Sequence, residues 1–343
     1  MSRLQFIVLI LFLAGIVACR KEVMDSFRGF EQPAHFPAPV YRFGTNTITK
    51  DGFELGRKLF YDTRLSANNT ISCGSCHIQT AAFTHHGHNT SHGIFDQQGT
   101  RNAPPIMNLA WNTSFMWDGG IADLDLQSVA PITNPVEMGE TMPAVLSKLR
   151  SSSDYPALFK KAFGSEEITT TGFLKALSQF MVMCVSSNSR YDSIMRNQGG
   201  ARFTATEEAG RNLVQQKCGA CHPEPLFTDF SFRNNGLTPS SINDEGRYMV
   251  TQIANDRYKF KVPSLRNLAY TAPFMHDGRF LTLDAVLDHY HGQVQDLPTL
   301  DPLLKQPGYT GIPLTADEKQ KIKAFLLTLS DRSFLFDKRF SEQ

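Results

Sequence analysis

The sequence predicts a mostly α-helical fold built as two halves of related design, and three observations lead there. The pentapeptide Cys-x-x-Cys-His occurs twice, at Cys73 to His77 and at Cys218 to His222. Each copy follows a short helical pattern of the same kind, Glu54-Leu-Gly-Arg-Lys-Leu-Phe60 and Glu208-Ala-Gly-Arg-Asn-Leu-Val214. The apolar residues show little of the period-two alternation that half-buried strands produce.

Each element can be justified along the chain. Arg3 and the apolar run Leu4 to Val17 read as a secretory leader, residues 1–18, too short for the ~20 residues of a membrane span. It ends in Ile16-Val17-Ala18-Cys19, which resembles a bacterial lipobox, so Cys19 is the expected lipidation site. Membrane attachment is then through the N-terminal lipid alone, and the protein faces the periplasm. Residues 19–44 read as a lipid-anchored tether, with Pro33 to Pro39 its stiffest part. Residues 45–199 and 200–335 form the two expected domains, divided at the Gly-rich Gln198-Gly-Gly200, with residues 336–343 as a tail. Capping boxes at Thr204-x-x-Glu207 and Thr315-x-x-Glu318 start two helices, the second carrying Ile322, Phe325, Leu326 and Leu329 on one face. An apolar stretch from Phe173 to Val185 buries Cys184 as an inert thiol.

Composition sets the outer limits. A chain of 343 residues, 41% apolar and 20% charged, is globular and long enough for two domains. A net charge of +1 without a long single-sign run gives no reason to expect nucleic acid as partner. The 26 Phe residues suit the burial of large flat cofactors, though core packing accounts for them nearly as well.

The repeated pentapeptide carries the chemistry. In Cys-x-x-Cys-His two thiols form thioethers with haem vinyl groups, and the adjacent histidine reaches the iron as proximal ligand. Cys73, Cys76 and His77 would hold one haem, and Cys218, Cys221 and His222 a second. A zinc site from two Cys-x-x-Cys pairs, or a thioredoxin-like dithiol, leaves both histidines unexplained. Two cytochrome c-like domains, each with one covalently attached haem, follow as the expected architecture.

From about Gly52 to Leu329 the chain resembles the bacterial di-haem cytochrome c peroxidase family, which also includes the MauG enzymes. The marks are Gly56-Arg-Lys-Leu-Phe-Tyr-Asp-Thr-Arg-Leu-Ser66, Arg101-Asn-Ala-Pro104, Phe115-Met-Trp-Asp-Gly119, Pro131-Ile-Thr-Asn-Pro-Val-Glu-Met138 and Leu265 to Gly278, in family order. The resemblance implies two domains packed around an inter-haem interface, with the N-terminal haem peroxidatic and the C-terminal haem an electron store. It assigns Glu137 as the acid/base carboxylate, Gln127 as its companion in the distal pocket and Trp117 as the aromatic between the haems. It also implies one Ca²⁺, bound by the Asn102 side chain and the backbone carbonyls of Thr271 and Pro273. The substrate implied is hydrogen peroxide, with a small periplasmic cytochrome c or cupredoxin as electron donor. A homodimer is one assembly considered.

Two positions depart from the simple peroxidase pattern. A loop histidine caps the peroxidatic iron in many relatives. Of the histidines in His85-His-Gly-His-Asn-Thr-Ser-His92, the last is nearest in register, although its spacing to Asn102 is about two residues too long. A solvated His-rich loop or an adventitious metal site is the alternative. At the C-terminal haem, the family position of a methionine ligand falls on Tyr290, as in MauG. Met275 or a histidine flanking Tyr290 is the competing ligand, and a packed aromatic the plainest reading. Three functions are therefore expected in order: a cytochrome c peroxidase, a MauG-like oxidase that modifies a partner protein, and a non-catalytic di-haem electron carrier. Glu137, Gln127 and Trp117 argue against the third.

Overall fold

The computed structural model describes residues 27–343. The leader and Cys19 lie outside the described residues. Phe27 to Glu31 belong to a separate N-terminal unit, and Gln32–Gln343 form one compact unit.

That unit is mostly helical. The longer helices are α1 (Lys50–Phe60), α2 (Met142–Arg150), α3 (Tyr155–Phe163), α4 (Thr170–Met183), α5 (Arg190–Met195), α6 (Ala205–Lys217), α7 (Leu283–Asp288) and α8 (Ala316–Leu327). Strands among the described residues are two residues long, paired antiparallel as Phe232–Arg233 with Phe260–Lys261 and Lys305–Gln306 with Tyr309–Thr310. Both expected capping boxes form: Thr204 and Thr315 accept from the backbone N–H groups of Glu207 and Glu318, whose carboxylates bond back.

Two helix crossings repeat the same device. Where α1 meets α4, a Cβ on Gly56 would lie 1.9 Å from the Ala176 carbonyl oxygen; where α6 meets α8, one on Gly210 would lie 1.9 Å from that of Lys321. Only glycine lets the backbones approach this closely. Around the second crossing Val214, Phe227, Ile322, Phe325, Leu326 and Leu329 are buried together, each large side chain contributing roughly 1.5–3 kcal/mol. Around the first, Phe60, Phe83, Phe180 and Phe340 pack ring against ring at centroid distances of 4.8–6.5 Å. Much of the phenylalanine excess is therefore core. Cys184, fully buried, makes its contact with the Phe180 carbonyl.

Two segments read from sequence as loose are instead tied down. In the expected tether, Phe36 is buried, the Trp111 indole donates to the Pro37 carbonyl at 2.7 Å, and His35 meets Asp192 at 2.7 Å. In the expected tail, Tyr61 donates to the Phe340 carbonyl at 2.8 Å and Phe340 is buried. Both stretches carry aromatic rings that the core takes in, which their Pro-rich or charged neighbours obscured. Deeper still, Arg266 and Asp192, both fully buried, form a bidentate pair at 2.9 and 2.8 Å, with Arg266 also donating to the Pro225 carbonyl.

Candidate active site

Each Cys-x-x-Cys-His segment presents its histidine in the same way. The His77 Nδ1–H donates to the Phe83 carbonyl at 2.7 Å, and the His222 Nδ1–H donates to that of Phe227 at 3.0 Å. A carbonyl can only accept, so the proton sits on Nδ1 and the lone pair on Nε2, with the Pro104 and Pro263 carbonyls as further backbone partners of the two rings. Burial holds both rings below the usual histidine range, and hence neutral, as an iron ligand must be. Burial pushes the thiols up, to about 12 at Cys73, about 11 at Cys76 and about 12 at Cys218. The donor set fits two haems attached through these residues.

Glu137 sits beside the first pair of thiols and raises both of them. Its carboxylate accepts from Asn134 Nδ2 at 2.8 Å, and burial raises its own pKa. The Pro131 to Met138 turn is held from outside by the Ile94 N–H, which donates to the Glu137 carbonyl at 2.7 Å. Gln127, at the end of a short helical turn, donates through Nε2 to the Met116 sulfur at 3.6 Å. A partly buried acid next to a Cys-x-x-Cys-His segment is the kind of group that can move a proton.

Trp117 is clamped between the halves. Its indole N–H donates to the Asn102 carbonyl at 2.8 Å, and its own carbonyl accepts from the Lys261 N–H at 2.7 Å. It lines a cleft shared by Pro104 and Met107 from the first half and Leu226, Val262 and Pro263 from the second.

The Asn102 amide meets the Pro273 carbonyl at 2.6 Å across the same junction, with Thr271 buried two residues away. Asn102 Oδ1 is buried with no hydrogen-bond partner of good geometry, facing the equally unpartnered ring of His85. Turning the Asn102 amide over would set its orphaned oxygen beside the Pro273 carbonyl, a pair that suits a hard cation such as Ca²⁺.

The His-rich loop is arranged as a row. The rings of His85 and His88 are 4.3 Å apart and those of His88 and His92 4.5 Å apart. His92 pairs through Nδ1 with the exposed Asp96 at 2.8 Å, and its backbone carbonyl accepts from the Cys76 thiol at 3.4 Å. Among the described residues no group of three or more His, Cys, Asp or Glu side chains converges to hold a metal. His85 is the buried member, and nothing local in the sequence distinguishes it from His86 or His88.

At the second site α7 runs into a π-helical turn over His289–Gln293, a local widening often found at functional positions. The turn separates three neighbours. His289 is buried and bonded to the Asn235 carbonyl at 3.0 Å, while His291 Nδ1 accepts from the Leu314 N–H at 3.1 Å. Tyr290 lies between them, its hydroxyl engaged by Asn235 and under the influence of Cys218 and Cys221; burial pushes its pKa up to about 12. The Met275 sulfur accepts from Asn235 Nδ2 at 3.6 Å. Asn235, which touches both candidate ligands, carried no sequence signal.

Comparison with known proteins points to one family. The family model for di-haem cytochrome c peroxidase matches residues 50–200. The chain is 35% identical over 303 residues to the methylamine utilization protein MauG of Methylorubrum extorquens, covering 88% of this chain and 83% of that protein. It is 35% identical over 284 residues to the cytochrome c551 peroxidase of Nitrosomonas europaea, covering 82% and 80%. A MauG-like protein associated with microbial copper homeostasis superposes with a TM-score of 0.82 at 33% identity, over 91% of this chain and 98% of that one. The diheme peroxidase BthA of Burkholderia thailandensis shares the fold at a TM-score of 0.73 and 22% identity. Motif, helical architecture and relatives converge: the chain is an enzyme of the di-haem cytochrome c peroxidase family.

Proposed function

We propose that this chain reduces hydrogen peroxide to water in the periplasm, taking two electrons and two protons per peroxide, with a small cytochrome c or cupredoxin as donor. The observation that carries the reading is the partly buried Glu137, held by Asn134 beside Cys73 and Cys76. When bound, the haems supply an iron that takes the peroxide and a second centre that stores an electron. Glu137 accepts the proton from one peroxide oxygen and delivers it to the other, which leaves as water. Gln127 orients the peroxide. Trp117, bonded to both halves, bridges the two domains, residues 45–199 and 200–335. A calcium ion at Asn102, Thr271 and Pro273 fixes the junction. Protein carrying two acid-stable haems and oxidising a reduced cytochrome c with peroxide is the expected result; haem-free protein, or haem without turnover, would overturn it.

A second reading, oxidation of a partner protein in the manner of MauG, is favoured by one feature. The turn that sets Tyr290 beside Cys218 and Cys221 directs both flanking histidines elsewhere. A phenolate ligand favours ferric iron, and a thioether favours ferrous. Tyr290→Met is therefore expected to raise the second haem's potential. An unchanged potential and spectrum would remove Tyr290 from the iron and return the site to plain peroxidase.

A further inference from the structure

The two halves repeat in register through the segments that clamp Trp117. Arg101 to Gly119 and Phe260 to Gly278 align without a gap, so Asn102 corresponds to Lys261, Ser114 to Pro273 and Trp117 to His276. The backbone obeys the same correspondence. Met116 and Met275 have φ of 67° and 74°, and Gly119 and Gly278 have φ of 71° and 69°. The Asn102 N–H donates to the His276 carbonyl at 2.7 Å, and the Lys261 N–H donates to that of Trp117 at 2.7 Å. Such reciprocal contacts are those of a two-fold axis, where residue i meets j and its mate meets i's mate.

Applied to the cation site, this symmetry has a consequence. The Asn102 side chain reaches the Pro273 carbonyl at 2.6 Å. Its mate, Lys261, reaches the carbonyl of Pro273's mate: Nζ donates to Ser114 O at 2.7 Å. Each spot also holds an orphaned buried oxygen, Asn102 Oδ1 in one and Ser114 Oγ in the other. We infer that Lys261 is a built-in cation, its ammonium standing at the second, symmetry-related position where the first position takes a metal ion. Asn102 and Lys261 then act as two halves of one clamp on Trp117. The first holds the indole through its carbonyl, and the second holds the Trp117 carbonyl through its N–H. Among the described residues, Asp118 is the carboxylate acting on Lys261, and Asp118 is itself paired with Arg101. Burial lowers the lysine's pKa to about 8, the direction for a buried ammonium whose hydrogen bond goes to the neutral Ser114 carbonyl.

This inference rests on reading the Asn102 site as a calcium site, and the test separates the two. Haem-loaded wild type, Lys261→Asn, Lys261→Met and Lys261→Arg are stripped with chelator, titrated with Ca²⁺ alone and assayed for bound metal and melting temperature. Wild type should bind one equivalent. Lys261→Asn, which restores an amide oxygen beside the Ser114 carbonyl, should bind one more and regain its melting temperature as calcium is added. Lys261→Met should melt lower with no calcium response beyond the wild type's, and Lys261→Arg should match wild type. One equivalent in both wild type and Lys261→Asn overturns the inference and leaves the calcium site standing; none in wild type overturns both. If Lys261→Asn does not fold, a Lys261→Arg protein as damaged as Lys261→Met shows that charge is not the requirement and refutes the role. A shifted haem potential in Lys261→Met, without metal gained by Lys261→Asn, would assign the ammonium to a haem carboxylate instead.

Discussion

Replacing Glu137 by glutamine removes a proton carrier and almost nothing else. The Asn134 amide, which donates to Glu137 Oε1 at 2.8 Å, finds an equivalent acceptor in the glutamine carbonyl. Glutamine has nearly the same volume, and a neutral amide is easier to bury than a carboxylate, so stability should change by less than about 1 kcal/mol. What disappears is proton transfer between the peroxide oxygens, worth typically ~10²–10⁴-fold. That corresponds to about 3–5 kcal/mol of barrier. Burial raises the carboxyl's pKa and the Asn134 bond opposes the rise. As a base it must be ionised, so activity should fall with decreasing pH along a limb above the ordinary value of 4.5. Asn134→Ala, which removes the opposing bond, should move that limb further up. Stopped-flow mixing of peroxide with half-reduced protein, repeated across the acid range, measures both effects. A Glu137→Gln protein with wild-type rates and an unchanged acid limb would show that another group moves the proton.

Two further perturbations test the frame that holds the site. Burial would raise the pKa of Asp192, yet bonds from Arg266, Ser189 and His35 hold it at about 2, against 3.8 ordinarily. A depressed carboxyl contributes stability that is complete above its unfolded value and lost as pH falls through the folded one. Here that is about 2 kcal/mol, disappearing between roughly pH 4 and 2. Asp192→Asn should abolish this acid dependence in urea denaturation and, by stranding the Arg266 charge, cost about 3–5 kcal/mol at neutral pH. At the α6–α8 crossing, Gly210→Ala places a methyl 1.9 Å from the Lys321 carbonyl and should lower stability by about 1–3 kcal/mol or more, read as a drop in melting temperature. Gly56→Ala should do the same at α1–α4, because the geometry is the same.

Much of this protein is legible in one dimension because its decisive signals are local. Cys-x-x-Cys-His is a covalent attachment motif complete within five residues, and the capping boxes at Thr204 and Thr315 are complete within four. The mostly helical class follows from periodicity, and the family from blocks of sequence that survive in order. What sequence alone could not supply is whatever depends on residues far apart in the chain. The tether around Phe36 and the tail at Phe340 read as loose because their neighbours are Pro-rich or charged; only the core shows that their rings are needed. His85 is one of several histidines in a row until folding buries it against Asn102. The choice among Met275, His289, Tyr290 and His291 was open in sequence, where the last three are adjacent. The π-helical turn separates them by direction, sending the histidines to Asn235 and Leu314 and leaving Tyr290 beside Cys218 and Cys221. Lys261 is the clearest case. In sequence it is one basic residue among many, but the fold closes it on Ser114 from 147 residues away, because the two halves pack by a reciprocal contact that no local pattern encodes.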